Sequence, residues 1–168
     1  MKKNRFFISG SQLGFTFIEM ITVIAIIAIL AAIGIPTFSH MVPDMRLRSA
    51  AQDLYGNLQE AKMAAVKKNG PSNITFNPAV GVRGNYTKAN GTIIDLDEAY
   101  EHSVEYGRMD GGPQNVTFTS SQAIFNARGM ATNTGEVYLK NKKDNSYKIE
   151  VLSSGVITLK KWDGSIYK

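Results

Sequence analysis

The chain has 168 residues, no cysteine and a formal net charge of +5 at pH 7. This length accommodates one modest folded domain, and the missing cysteines exclude a disulfide framework or a cysteine-ligated metal site. The positive charge alone does not establish a nucleic-acid partner, because three of the cations, Lys2, Lys3 and Arg5, lie in the first five residues.

A long apolar stretch follows this basic leader. From Phe15 to Ile35 only one side chain, Glu19, is charged. About 20 mostly apolar residues cross a bilayer as a helix, and a single span must be helical because lipid offers its backbone no hydrogen-bond partner. A buried core helix is the alternative, but the rest of the chain is too small and polar to surround one. A secretory signal peptide would instead carry its cleavage site after the apolar run.

The basic leader also predicts the orientation of the span. Positive flanks stay in the cytoplasm, so we expect a single-pass protein of the inner (cytoplasmic) membrane. Its N-terminus is then cytoplasmic and the residues after Ile35 are periplasmic.

Glu19 is the anomaly in the apolar stretch. A carboxylate inside a bilayer costs at least about 2.5 kcal/mol, so such residues usually have a partner and a function. Alternatively, Glu19 lies close enough to the start of the stretch to reach the interface with its head group.

The sequence Gly14-Phe15-Thr16-Phe17-Ile18-Glu19, after a short basic leader, resembles the processing site of type IV pilins and of the pseudopilins of type II secretion. The resemblance implies that residues 1–14 are a leader that a prepilin peptidase removes by cutting after Gly14. Phe15 then becomes the N-methylated mature N-terminus. Residues 15–36 form the transmembrane and assembly helix, in which Glu19 pairs with the Phe15 amine of a neighbouring subunit.

Residues 37–70 continue as an amphipathic helix. Pro36, at the membrane exit, removes a backbone donor and predicts a kink, and Pro43 adds a second site of this kind. Asn69-Gly70-Pro71 ends the helix, with glycine expected in a left-handed cap. We therefore predict one long helix from about Phe15 to Asn69. Its apolar stripe, with spacings of three and four, is formed by Leu47, Ala51, Leu54, Leu58, Ala61 and Ala65.

Residues 71–168 are rich in Thr, Val, Ile, Tyr and Phe, interrupted by Gly and Asn, which is typical of short antiparallel strands. The acidic segment Asp97–Gly112 is expected to be a long loop. The predicted strands are Asn73–Phe76, Thr92–Leu96, Val116–Thr119, Gln122–Phe125, Glu136–Leu139, Tyr147–Leu152 and Val156–Leu159.

Two further segments are similar to the GspH/FimT family of H-type pseudopilins and minor type IV pilins: the helix around Leu47–Asn69, and Ala123–Gly129 with the strands that follow it. The resemblance implies an α+β, pilin-like fold, in which the long N-terminal helix packs on a C-terminal antiparallel β-sheet or β-sandwich. The DNA-binding branch of the family carries a Gly-Arg pair in the last hairpin. Here Gly155 is followed by Val156, which argues against that branch.

This family implies a minor pseudopilin, stored in the membrane and then assembled into a periplasmic pseudopilus that drives the export of folded proteins. The alternative is a minor type IV pilin for pilus assembly or DNA uptake. The implied partners are the prepilin peptidase, other pilins or pseudopilins, an inner-membrane assembly platform and membrane lipid. No enzymatic activity and no cofactor is implied.

Candidate chemical sites are few. His40 and His102 stand in no triad-like arrangement, and no phosphate-binding loop or metal spacing occurs. The segment Asp95–Glu98 offers oxygen ligands for calcium, but it lacks the spacing of a helix–loop–helix calcium site and reads as a solvated acidic turn.

The C-terminal third carries a basic patch interleaved with aromatic residues, a pattern that can bind nucleic acid. The alternative is the charged, solvent-facing surface of a hairpin, where lysines block edge-to-edge aggregation. Acids interrupt the patch and favour the alternative. The candidate residues are Lys140, Lys142, Lys143, Lys160 and Lys161.

Overall fold

The computed structural model describes residues 14–78 and 83–168, without the side chains of Pro36, Thr37, Ser39 and His40. The chain divides into two compact units, Met1–Ser39 and His40–Lys168. The predicted leader, apart from Gly14, therefore lies outside the described residues, as does the side chain of Pro36.

A single helical assignment, α1, covers Phe17–Lys67, close to the predicted Phe15–Asn69. Its first part, Phe17–Ile35, is long and apolar enough to cross a membrane, and none of it is buried within the chain. The assignment continues through Pro36 and Pro43. The kink at Pro36 stays a prediction.

The amphipathic stripe of α1 is confirmed, because all six of its predicted residues have 0% exposure. The helix ends in a Schellman motif: Gly70 N donates to Ala65 O, and Asn69 N donates to Val66 O. The left-handed residue of this cap is Asn69, at φ 50°. The expectation that Gly70 would take that role was wrong; asparagine tolerates this conformation because its short polar side chain can bond locally.

Two antiparallel sheets complete the unit His40–Lys168. The first has the strand order β3-β2-β1-β5 and the second β4-β6-β7-β8. A short helix, α2 (Leu96–Ala99), follows β3. The strands are β1 Ser72–Asn77, β2 Asn85–Thr87, β3 Ile93–Asp95, β4 Glu105–Tyr106, β5 Gln122–Phe125, β6 Gly135–Lys140, β7 Ser146–Val151 and β8 Ile157–Lys161.

The structure differs from the predicted strands and loop in three places. β2 (Asn85–Thr87) lies where no strand was predicted. Val116–Thr119 forms no strand: Val116 makes an isolated bridge to Val137, and a 3₁₀ turn begins at Thr119. The segment Asp97–Gly112 is not one loop, since it contains most of α2 and the whole of β4. Asp95, just before this segment, explains α2, because its side chain caps the helix by accepting from the N–H groups of Asp97 and Glu98.

Both ends of the second sheet are fixed to α1. At the turn between β6 and β7, the side-chain amides of Asn141 and Asn145 donate to Asp44 Oδ1 at 2.7 and 2.8 Å. At the turn between β7 and β8, Lys62 Nζ donates to Gly155 O at 2.8 Å. The sheet thus lies along α1, with the β6–β7 turn held at the N-terminal part of α1 in this unit and the β7–β8 turn near its C-terminus.

Candidate processing and assembly site

The start of α1 is built as a capping box. Thr16 Oγ1 accepts a hydrogen bond from Glu19 N at 3.3 Å, and a Glu19 carboxylate oxygen accepts one from Thr16 N at 3.4 Å. These reciprocal bonds pair two of the backbone donors that every helix N-terminus leaves open. Thr16 was not among the predicted site residues, although the spacing Thr-x-x-Glu before an apolar run is the local signal for this motif.

The residues around the predicted cleavage site lie outside the helix. Gly14, Phe15 and Thr16 have no regular secondary structure, and the Phe15 side chain is 86% exposed. A Cβ atom added at Gly14 would meet no described atom within 4 Å. A peptidase could therefore reach the bond after Gly14 without first unwinding α1.

Glu19 retains capacity for a second partner. Its contact with Thr16 uses one oxygen, and within the described ranges the other accepts no hydrogen bond. A carboxylate offers about four acceptor positions. The geometry therefore allows Glu19 to cap its own helix and also accept a cation from outside the subunit.

The remainder of the apolar segment has no partner within the described chain. Thr22 satisfies its hydroxyl by donating to Ile18 O at 2.8 Å, so the helix surface presents almost no open polar group. Large side chains are exposed along the whole of Phe17–Ile35. An apolar surface of this extent is stable only in lipid or against other apolar helices.

The structure brings the candidate lysines to one end of the second sheet. Lys140 ends β6, Lys142 and Lys143 lie in the β6–β7 turn, and Lys160 and Lys161 end β8. The register places Lys161 opposite Tyr147, near the start of β7, so the five lysines share the end that is bonded to Asp44.

Acids neutralise part of this patch. Lys140 Nζ lies 3.4 Å from a Glu105 carboxylate oxygen, and Lys160 Nζ lies 3.3 Å from a Glu150 carboxylate oxygen. The side chains of Lys142, Lys143 and Lys161 are exposed. The positive surface is therefore smaller than the sequence suggested.

The acidic segment after β3 serves the fold. Asp97 accepts from Arg83 Nε at 2.5 Å and lies 2.8 Å from His102 Nδ1. The hydrogen bond from His102, followed by that from Arg83, holds the pKa of Asp97 below its usual value. Within residues 14–78 and 83–168, no three His, Asp or Glu side chains come together as metal ligands.

Comparison with known proteins decides the family. Residues 50–155 match the family described as Type II transport protein GspH, and residues 10–35 match the prokaryotic N-terminal methylation motif. The chain belongs to the GspH family of pilin-like proteins. The methylation motif includes Gly14, Phe15 and Glu19, and it implies processing by a prepilin peptidase and assembly with other pilins.

Two relatives place this GspH-family chain near fimbrial subunits. A fimbrial protein of Dichelobacter nodosus is 30% identical over 120 residues, which cover 67% of this chain and 70% of the relative. The type IV major fimbrial protein FimA of the same organism is 31% identical over the same extent. No solved structure gives a significant match.

Proposed function

We propose that this GspH-family protein is a minor pseudopilin of a type II secretion system, stored in the inner membrane and assembled into a periplasmic pseudopilus. The observation that carries the proposal is Glu19, which caps the exposed apolar segment Phe17–Ile35. Cleavage after Gly14 would create a new amine at Phe15, four residues before this carboxylate. Pilin-like families are structural, so no reaction is assigned to the chain.

The proposed assembly step is an exchange of environment. In the membrane, lipid covers the apolar surface of Phe17–Ile35. In the filament, the corresponding helices of neighbouring subunits cover it. An ion pair between Glu19 and a neighbour's Phe15 amine is strong there, because the surrounding medium has a low dielectric constant, and an unpaired charge would be costly.

Glu19 variants separate capping from charge pairing. Glutamine also completes a capping box, so Glu19→Gln keeps the helix start but removes the negative charge. We expect Glu19→Gln and Glu19→Ala to remain in the membrane fraction but to be absent from sheared or cross-linked filaments. Thr16→Ala, which removes only one capping bond, should still assemble. Normal assembly of Glu19→Gln would show that the carboxylate acts only as a cap.

Processing is tested at Gly14. The proposal predicts that Gly14→Ala blocks leader removal, because a side chain at this position would occupy the space that the peptidase needs next to the bond. Intact mass spectrometry of the membrane fraction gives the readout, with Gly34→Ala as a control, since it adds the same methyl group within the span. A wild-type protein that retains Met1 in cells with an active prepilin peptidase would contradict the proposed cleavage.

A second candidate is a minor type IV pilin for pilus assembly or DNA uptake. The observation that favours it is the likeness to two fimbrial proteins. Salt-dependent binding of duplex DNA by His40–Lys168 tests the DNA function, since phosphate contacts weaken steeply as salt rises. Absence of binding at low salt would exclude it.

A further inference from the structure

We infer that the β6–β7 end of the second sheet, with Lys142, Lys143 and Lys161, binds anionic phospholipid head groups while the subunit is stored in the membrane. The inference rests on the proposed membrane-stored state and assigns a partner to the basic turn. The first argument is position along the chain. Asp44, which accepts the two amide bonds of the β6–β7 turn, follows Ile35 by nine residues.

Nine helical residues rise about 14 Å, and even a fully extended chain could separate them by only about 30 Å. The head-group layer extends roughly 5–7 Å beyond the hydrocarbon on each side of a bilayer. Chain connectivity alone therefore keeps the turn bonded to Asp44 within about 30 Å of Ile35, the end of the apolar segment. By contrast, the β7–β8 turn is bonded to Lys62, which lies 18 residues further along α1.

The second argument is the rigidity of the attachment. Asn141 is 2% exposed, and its side-chain oxygen accepts from Lys143 N at 2.9 Å and Asn145 N at 3.1 Å. Its amide nitrogen donates to Asp44 at the same time. One buried asparagine thus shapes the turn and fixes it to α1, so the lysines are presented in a defined position.

The third argument is charge. Lys142, Lys143 and Lys161 are exposed at this end, against one exposed acid in the turn, Asp144. Asp44 keeps its negative charge, because the two amides bonded to it are neutral, and nearby Asp163 pairs with Lys168. The three lysines exceed Asp44 and Asp144 by one positive charge, and each lysine close to an anionic membrane strengthens binding by about fivefold.

Apolar residues next to this end favour lipid over nucleic acid. Met41 and Met45 occupy one face of α1 beside Asp44, and they are 56% and 61% exposed. Side chains of this kind are suited to the boundary between head groups and acyl chains, where lysines can extend their charges toward phosphate. The charged phosphate backbone of duplex DNA would offer these methionines much less apolar contact than acyl chains do.

Amine footprinting of the full chain in nanodiscs tests the inference. The discs contain phosphatidylcholine alone or with about one-third phosphatidylglycerol, and acetylation rates are read by mass spectrometry. We expect acetylation of Lys142 and Lys161 to slow at least threefold in anionic discs and to recover in high salt, because added ions screen surface charges. Lys67 and Lys68, near the opposite end of the unit, serve as internal references and should not change.

Matched variants add a second readout. Trp162 is the only tryptophan in the sequence, and its backbone N–H donates to Ser146 O at the same end of the sheet. A lipid with a quencher in its head group should quench Trp162 more in anionic discs. The Lys142→Ser/Lys161→Ser double variant should lose this increase, whereas Lys67→Ser/Lys68→Ser, with the same change in net charge, should keep it.

The outcomes are distinguishable. Incorporation into discs with equal acetylation in both lipids would overturn the lipid contact and leave the membrane span intact. Protection of Lys142 and Lys161 by added duplex DNA, but not by phosphatidylglycerol, would assign the surface to nucleic acid and also overturn the inference. Failure to incorporate would overturn the membrane-stored state itself, and this inference with it.

Discussion

Gly155→Ala should destabilise the unit His40–Lys168 strongly. Gly155 is buried in the β7–β8 turn at φ 76°, a conformation that costs an L-residue roughly 1–2 kcal/mol. A Cβ atom there would lie 1.9 Å from Gly129 O, a backbone atom that no rotamer change can remove. Relieving this overlap would also displace Gly155 O from Lys62, at a cost of about 1 kcal/mol or more. We expect a total loss of about 3–5 kcal/mol.

Gly91→Ala is the matched control. Gly91 also has a positive φ, 88°, but a Cβ atom there would meet nothing within 4 Å. It therefore measures the conformational strain alone, roughly 1–2 kcal/mol. Urea unfolding of the fragment His40–Lys168, followed by circular dichroism, should show a midpoint shift for Gly155→Ala about two to three times that of Gly91→Ala. Equal shifts for the two variants would refute the proposed close contact between the two turns.

Two further predictions concern the attachment of the sheets to α1. Asp44→Ala removes the acceptor of the buried Asn141 amide and should lower the free energy of unfolding in urea by about 1–3 kcal/mol. The control Glu98→Ala, which also removes an exposed acid, should change the midpoint little. Equal effects of the two substitutions would show that the bonds between Asp44 and the β6–β7 turn add no stability. Burial raises the pKa of Tyr86 from 10 to about 12, so its stabilising contribution is complete below pH 10 and is lost as pH rises to 12. Tyr86→Phe should reduce the loss of stability across that pH window by roughly 2–3 kcal/mol. An unchanged dependence of stability on pH would contradict the assignment.

The features that the sequence predicts well are those with a local, repeated pattern. The stripe of α1 repeats with helical spacing, because one face of a helix must meet the sheets. β5 occupies the predicted Gln122–Phe125, where Ala123 and Phe125 alternate with half-buried neighbours. β2 was missed because it is three residues long and buries only Tyr86, which is too short a segment for any periodicity.

Contacts between distant residues have no such local signal. Asp44 and Asn141 are 97 positions apart, and the sequence around each is an ordinary polar turn or helix segment. The lysine-bearing β6–β7 turn looked equivalent to any other charged loop until its attachment to α1 was known. Which lysines lie together at one end of the sheet therefore depends on tertiary structure. The capping box at Thr16, by contrast, can be predicted from the four residues Thr16–Glu19.

The loop that carries the family resemblance has a structural role. Asn126 Oδ1 accepts from Arg128 N and Met130 N, which shapes the loop, and Gly129 packs against Lys62 and Val66 of α1. Gly155 completes this contact and tolerates no side chain.

The next residue differs in this respect, since Val156 is 48% exposed and its side chain is not part of the core. In this chain, packing requires glycine at position 155, whereas the exposed side chain at position 156 is free to contact a partner. An arginine there would add a cation on the same end as Lys62, Lys67 and Lys68. Valine instead leaves an apolar contact, which fits a protein neighbour in a filament better than a phosphate backbone.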